Sequence, residues 1–313
     1  MSQILTITFP IYAAIAIGYL IVKRGWFGAS DMRTLGKYVL DIALPALLFN
    51  AMASRDFAEV FHPGYMLVFA LGGVATIAVS FVWFTLTGTD KPRRAIAVMG
   101  TACPNSGFIG YPVMLLTFPD LAGVILALNM LVENILLIPI CLILMELSRD
   151  RAQTSISHQI GTILWGVLKR PMVIGLLLGL AVSLAQIPMP SAATNLFQML
   201  AASASALSLV VIGGSLAGLS LRGNHWKAAQ VALDKIILHP AMVALTILGV
   251  TAAGIALPAD LQVAVILSAA MPMFGIYTVL AQEHGHEGMA SIAMLIATAF
   301  GFFTLSGLLL ALT

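Results

Sequence analysis

The chain alternates between long uncharged apolar runs and short polar clusters. No Asp, Glu, Lys or Arg occurs in Met1–Val22, Val60–Thr89, Ala95–Pro119, Pro171–Leu221, Ile236–Ala259, Leu261–Gln282 or Gly288–Thr313. A helix that crosses a bilayer needs about 20 mostly apolar residues. The window Pro171–Leu221 is long enough for two such helices. Divided at charges and at Gly/Pro punctuation, the runs predict ten spans, at 3–22, 35–53, 64–86, 94–117, 121–146, 168–187, 194–219, 233–255, 261–282 and 289–311. These spans use most of the chain and leave no room for a soluble domain. The longest stretch between them, Leu147–Lys169, reads as a polar loop.

Composition agrees with that pattern. Hydrophobic residues make up 60% of the 313 and charged residues 9%, against about 45–50% and 25% in soluble domains. Too little charge remains to cover a soluble surface, so the expectation is an all-α polytopic membrane protein whose main partner is the lipid bilayer. The net charge of +2 is spread over short loops and gives no reason to expect a nucleic acid partner. Cys103 and Cys141 both lie in apolar segments, which argues against a disulfide framework or a zinc site. The N-terminal apolar stretch has no basic region before it. It reads as a first span and not as a cleaved signal.

Lys and Arg set the expected orientation. The loops after spans one, three, five and seven hold Lys23, Arg24, Arg33 and Lys37; Lys91, Arg93 and Arg94; Arg149, Arg151, Lys169 and Arg170; and Arg222, Lys227 and Lys235. Of the 15 basic residues only Arg55 falls on the other side. Positive loops stay in the cytoplasm, so both termini are expected outside, in a multi-pass protein of the cell (inner) membrane.

Two spacings recur between the halves. Pro10 and Gly18 are eight apart in the first span, and Pro171 and Gly179 are eight apart in the sixth. The fourth span holds Ala102-Cys103-Pro104-Asn105-Ser106-Gly107 and the ninth Ala270-Met271-Pro272-Met273-Phe274-Gly275, both of the form Ala-x-Pro-x-x-Gly. The halves therefore correspond as spans one to five, residues 1–150, and six to ten, residues 151–313. Five is odd, so the halves enter the membrane from opposite sides as inverted repeats, a layout shared by many secondary transporters. Between Gly100 and Pro112 stand Pro104, Gly107 and Gly110 as well, and a continuous helix does not tolerate that composition. Breaks at matching positions of two halves point to a transport site. There, half-helix N-termini offer N–H groups to an anion.

Charge within a span is costly and marks function by default. Glu133 falls in the middle of the fifth span beside Asn134, with Asn129 one turn earlier on the same face. It is a candidate for coupling to a proton or cation, or alternatively a neutral packing acid. Asp41 in the second span is a weaker coupling candidate, with Lys37 one turn before it. Lys235 and His239 share a face at the start of the eighth span. They either draw in an anion or anchor the helix end. Glu283-His284-Gly285-His286-Glu287 resembles a metal tract but has no rigid spacing and reads as a solvated loop. The small residues of Ala201–Ser208 and Gly213-Gly214-Ser215 read as a close-packing face.

Several motifs carry a family resemblance. Pro-Asn-Ser-Gly-Phe-Ile-Gly-Tyr-Pro at 104–112 and Leu-Pro-Ala-Leu-Leu-Phe at 44–49 resemble the fourth and second spans of the auxin efflux carrier family. Arg-Pro-Met-Val-Ile-Gly at 170–175 and His-Pro at 239–240 are similar to its sixth and eighth span openings. Met-Pro-Met-Phe-Gly-Ile-Tyr at 271–277 is similar to the ninth span of bacterial members labelled malonate transporters. The resemblance implies ten transmembrane helices in two inverted five-helix repeats with helices four and nine broken and crossed, one bundle being a scaffold and the other a transport unit. It implies organic anion substrates, auxin in plants and small carboxylates such as malonate in bacteria. The substrate residues then expected are Pro104, Asn105, Ser106, Gly107, Pro272, Met273, Gly275 and Tyr277. Plant carriers tend to place a polar residue where Met273 stands, and many have a long cytosolic loop that this chain lacks.

The function expected is a secondary transporter with no cofactor or metal, the coupling ion, H+ or Na+, being left open. A homodimer is carried as a candidate assembly. A channel or sensor on the same fold is the alternative. A membrane enzyme fits less well. Gly213-Gly214-Ser215-Leu216 has no partner base except His239, and no Asp-rich diphosphate motif occurs. The topology is tested by placing a single cysteine at Ser155 in a protein without Cys103 and Cys141. An impermeant thiol reagent applied to spheroplasts is expected to leave it unlabelled, and labelling from outside would reverse the orientation.

Overall fold

The structure, a computed structural model, describes residues 2–55, 60–148, 161–162, 165–219 and 222–312. Most of the predicted Leu147–Lys169 loop, including Arg149 and Arg151, lies outside the described residues. Those residues are helical throughout, with no strand of more than one isolated bridge. Seven helices are long and apolar enough to cross a membrane: α1 (Ile4–Lys23 of Ser2–Lys23), α2 (Ala29–Ala53), α3 (Pro63–Leu86), α6 (Ala122–Leu147), α8 (Ser191–Leu216), α9 (His225–Ala252) and α12 (Glu287–Leu312). Shorter apolar helices are α5 (Ser106–Thr117), α7 (Pro171–Leu184) and α10 (Ala259–Ala270). Two further helices are α4 (Lys91–Ala102) and α11 (Tyr277–Gln282). The predicted fourth span is thus α4 and α5, and the predicted ninth is α10 and α11.

Several helices begin earlier than their apolar runs. The second starts at Ala29 because its polar first turns are capped, the Gly28 N–H donating to Asp31 Oδ2 at 2.8 Å. In α9 the Asn224 side chain accepts from the Lys227 N–H at 3.0 Å, so the helix begins at His225, eight residues before the expected start at 233. The Asp90 side chain caps α4 in the same manner, accepting from the Arg93 N–H at 3.1 Å. A capping side chain satisfies an amide that the first turn cannot.

Residues group into two compact units, each taking segments from both halves of the sequence. One comprises Met1–Pro63, Ser106–Met130 and Val167–Gly218; the other comprises Gly64–Asn105, Leu131–Gly166 and Leu219–Thr313. In the first unit α1 packs on α8, and α2 packs on α7 and α8. Lipid offers no hydrophobic drive for these contacts, so close backbone approach over small residues supplies the attraction. A Cβ at Gly213 would strike the Ile15 carbonyl, and one at Gly18 would strike that of Val210. Gly175 and Gly179 face the backbone of Pro45 and Phe49 in the same way. In the second unit Gly72 and Gly73 of α3 admit Val243 of α9 and Leu137 of α6. Buried hydroxyls tie its helices further. Tyr65 and Ser268 stand 3.1 Å apart, and Thr101 donates to Ser80 at 3.0 Å.

Among the described residues, four helices contain a five-residue π-helical turn: Val39–Ala43 in α2, Ser106–Gly110 in α5, Glu133–Leu137 in α6 and Asp234–Leu238 in α9. Each turn is followed at its second position by proline: Pro45, Pro112, Pro139 and Pro240. A proline ring clashes with the carbonyl four residues back. Those carbonyls, of Asp41, Phe108, Ile135 and Ile236, all lie inside the π turns. Widening the turn moves them aside and lets the residue before proline reach one position further. Leu44, Ile138 and His239 donate to the carbonyls of Val39, Glu133 and Asp234, five residues back.

The glycine contacts give a stability test. Gly213→Val is expected to cost about 1–3 kcal/mol through overpacking. Gly249→Ala, at an exposed helical position with open space around it, is expected to leave the melting temperature equal or slightly raised. Thermal unfolding in detergent reads both. Equal melting of Gly213→Val and the unmodified protein would show that α1 and α8 can separate without loss.

Candidate transport site

The sites of greatest interest are two interruptions within the second unit. The residue before a proline disfavours the helical region, and this ends α4 and α10 alike. Cys103, before Pro104, is extended at φ −104°, ψ 99°, and Met271, before Pro272, is extended at φ −61°, ψ 144°. The two freed segments then bond to each other. The Asn105 N–H donates to the Pro272 carbonyl at 2.8 Å, and the Phe274 N–H donates to the Cys103 carbonyl at 3.2 Å. Pro104 and Met273 face one another as an isolated antiparallel bridge. Sequence reasoning anticipated both breaks but not that each would satisfy the other.

Among the predicted site residues, Pro104, Asn105, Pro272 and Met273 are therefore brought together, all buried. The backbone N–H of Asn105 is committed to the Pro272 carbonyl. Gly275 is exposed, and a Cβ added there would meet nothing within 4 Å. Tyr277 opens α11, fully buried, with its hydroxyl directed at Gly100 of α4. Ser106 and Gly107 are buried and begin the π turn of α5 in the first unit. In that unit the Ser208 hydroxyl of α8 lies 2.8 Å from the Phe108 carbonyl that Pro112 displaces.

The coupling candidates divide by burial. Glu133, at 2% exposure, and Asn134 lie in the π turn of α6, with Asn129 one turn earlier on that helix, also buried. Asp41 is exposed.

Lys235 and His239 lie deeper than the sequence suggested. The early start of α9 puts Lys235 in the middle of a 28-residue helix, and both side chains are fully buried. The Lys235 ammonium donates to the Ala269 carbonyl, near the end of α10, at 2.5 Å and to His239 Nδ1 at 2.9 Å. The capping residue Asn224 was the signal that could have placed them.

At the polar end of the second unit, His286 Nε2 lies 3.7 Å from Asp90 Oδ1, and Arg93 Nη1 lies 3.2 Å from Asp90 Oδ2. Burial first, then the charges of Arg93 and His284, push the His286 imidazole below its usual value of 6.5, while Asp90 opposes them. The lowering prevails because Asp90 is half exposed and already engaged by Arg93 at shorter range. Among the described residues no three His, Cys, Asp or Glu side chains gather as a metal site.

Apolar spanning helices interrupted at paired prolines are an architecture that membrane transporters use. The chain belongs to the membrane transport protein family, whose sequence model matches residues 3–309; this is the auxin efflux carrier family that the motifs resemble. It is similar to the "Putative malonate transporter" of Rhizobium meliloti (strain 1021), 25% identical over 99% of this chain and 96% of that one. It is also similar to "Uncharacterized transporter YfdV" of Escherichia coli (strain K12), 25% identical over 74% of each chain. An "Uncharacterized transporter" of Methanothermobacter thermautotrophicus is 27% identical over 32% of this chain and 33% of its own. The protein is a multi-pass membrane transporter and not an enzyme.

The His286 contact has a pH consequence. Its folded pKa is below the unfolded value, so unfolding takes up a proton in the interval between them. Its contribution to stability is full above pH 6.5 and is lost as the pH falls from there through the folded value. Melting temperature measured against pH is expected to drop below pH 6.5 by less in His286→Gln than in the unmodified protein. Identical pH profiles would remove His286 from that balance.

Proposed function

We propose that the protein is a secondary transporter that carries a small organic anion across the cytoplasmic membrane by alternating access. The substrate is a carboxylate, malonate or a related mono- or dicarboxylate. Ten spans in two inverted repeats, residues 1–150 and 151–313, form the carrier, with both termini outside. The broken fourth and ninth spans cross, and the residues that bind substrate are Pro104, Asn105, Ser106, Gly107, Pro272, Met273, Gly275 and Tyr277. Glu133, with Asn129 and Asn134, leads the coupling candidates ahead of Asp41.

The observation that carries this reading is the mutual pairing of the two proline breaks. Irregular backbone at membrane depth occurs only against protein or a water-filled cavity, and transporters place their substrates at such discontinuities. The name of the Rhizobium relative supports a dicarboxylate. The Asn105 amide supplies a neutral donor to the carboxylate, and backbone N–H groups near Ser106, Gly107 and Gly275 add to it.

Counterflow in proteoliposomes with a panel of mono- and dicarboxylates, with and without sodium and proton gradients, tests the reading. Saturable exchange is the expected result and separates a carrier from a channel. Asn105→Ala is expected to weaken binding by roughly ten- to hundredfold, since a hydrogen bond to a charged group is worth about 1.5–3 kcal/mol. Asn105→Asp is expected to bind worse still, because it sets a like charge against the anion in a low-dielectric site. Affinity and melting temperature are measured on the same samples. Unchanged affinity in folded Asn105→Asp protein would remove the anion from this position.

A further inference from the structure

Lys235 presents an arrangement that neither the family nor the sequence motifs assign. Its ammonium is fully buried, yet it does not stand alone. It donates to the Ala269 carbonyl, next to the last residue of α10. That carbonyl has lost its helical donor, because the helix stops before Pro272. It also donates to His239 Nδ1. With Lys235 protonated, its ammonium only donates, and the imidazole then accepts at Nδ1 and carries its proton on Nε2. His239 is stacked on Phe69, with ring centroids 6.2 Å apart. Glu133 of α6 and Cys103 of α4 lie close enough to Lys235 to interact with its charge. The cation is thus held by the carbonyl end of a broken helix and by an imidazole, with the Glu133 carboxyl side chain within electrostatic reach.

Transporters hold a coupling sodium ion with unwound carbonyls and half-helix C-termini, completed by an acid, and the Ala269 carbonyl and Glu133 are groups of those kinds. We propose that the Lys235 ammonium is the resident cation of this position, tethered where a free sodium ion would otherwise sit. This rests on reading the Pro104 and Pro272 breaks as the transport site. It deepens that reading by assigning the coupling: the carrier has no sodium requirement. A second monovalent cation would meet the ammonium's charge at short range. Removing the ammonium leaves the Ala269 carbonyl without this donor and Glu133 without the positive charge it interacts with.

The test uses purified full-length protein in detergent and radioactive sodium as the probe. Melting temperatures are compared in sodium, potassium and choline chloride at equal ionic strength. Unmodified protein and Lys235→Arg are expected to melt alike in all three salts and to retain no sodium above background. Lys235→Ser is expected to melt lower in choline, to regain about 5 °C or more in sodium, and to bind sodium. A folded serine variant that ignores the identity of the cation would reduce Lys235 to a packing residue and overturn the proposal. Specific sodium binding by the unmodified protein would overturn it as well. That arm decides alone if Lys235→Ser yields no folded protein, absence of binding then supporting the proposal. Neither readout uses a transported substrate. Failure of malonate counterflow therefore leaves this result standing, and sodium binding by the unmodified protein leaves the anion-carrier reading standing.

Discussion

A peptide group inside a bilayer can hydrogen-bond only to protein, and each one left unsatisfied costs several kcal/mol. This constraint organises the structure wherever proline enters a span. Three solutions appear. Pro45, Pro112, Pro139 and Pro240 follow π turns that shift the displaced carbonyls and lengthen the bonding pattern by one residue. Pro104 and Pro272 end their helices, and the two open segments bond across to each other. Where neither suffices, a side chain serves: Ser208 faces the Phe108 carbonyl and Lys235 the Ala269 carbonyl.

The same constraint locates the charge. Asp41, Glu133, Asp234 and Lys235 all lie within π turns. A π turn interrupts the regular helical ladder, and such turns are frequent at functional sites. Two of these turns, Glu133–Leu137 and Asp234–Leu238, belong to the unit that holds the paired breaks. Polar chemistry in this unit is concentrated where helical regularity is interrupted, and that link joins fold to function.

The apolar windows made most helices legible, since no soluble alternative fits uncharged runs of such length. The breaks were legible too: Pro104 and Pro272 with their glycines allow a break or a continuous kinked helix, and the structure has the break at both. Depth was harder to read. Lys235 looked like a helix-end residue because the first turns of α9, around His225 and Lys227, are polar, and an apolar window cannot see a capped polar turn. The π turns left no compositional trace beyond a proline that a plain kink would also explain. The compact units were illegible for a different reason. They join Gly18 to Val210 and Gly73 to Leu137, and hydropathy carries no information about which span touches which. For the candidate site, the sequence marked where the backbone breaks but not how the freed groups pair. Asn105 has its backbone committed to Pro272, and only coordinates reveal that.

The contact of Gly18 with Val210 also bears on how the chain is made. Roughly 190 residues separate the two, and a ribosome adds about 5–20 residues per second. The first helix therefore waits in the membrane for about 10–40 s before the helix that covers its glycine face has been synthesised. Through that interval the face is open to lipid and to every other newly inserted helix. Assembly of this unit is therefore paced by translation and not by local helix formation, which is complete within microseconds.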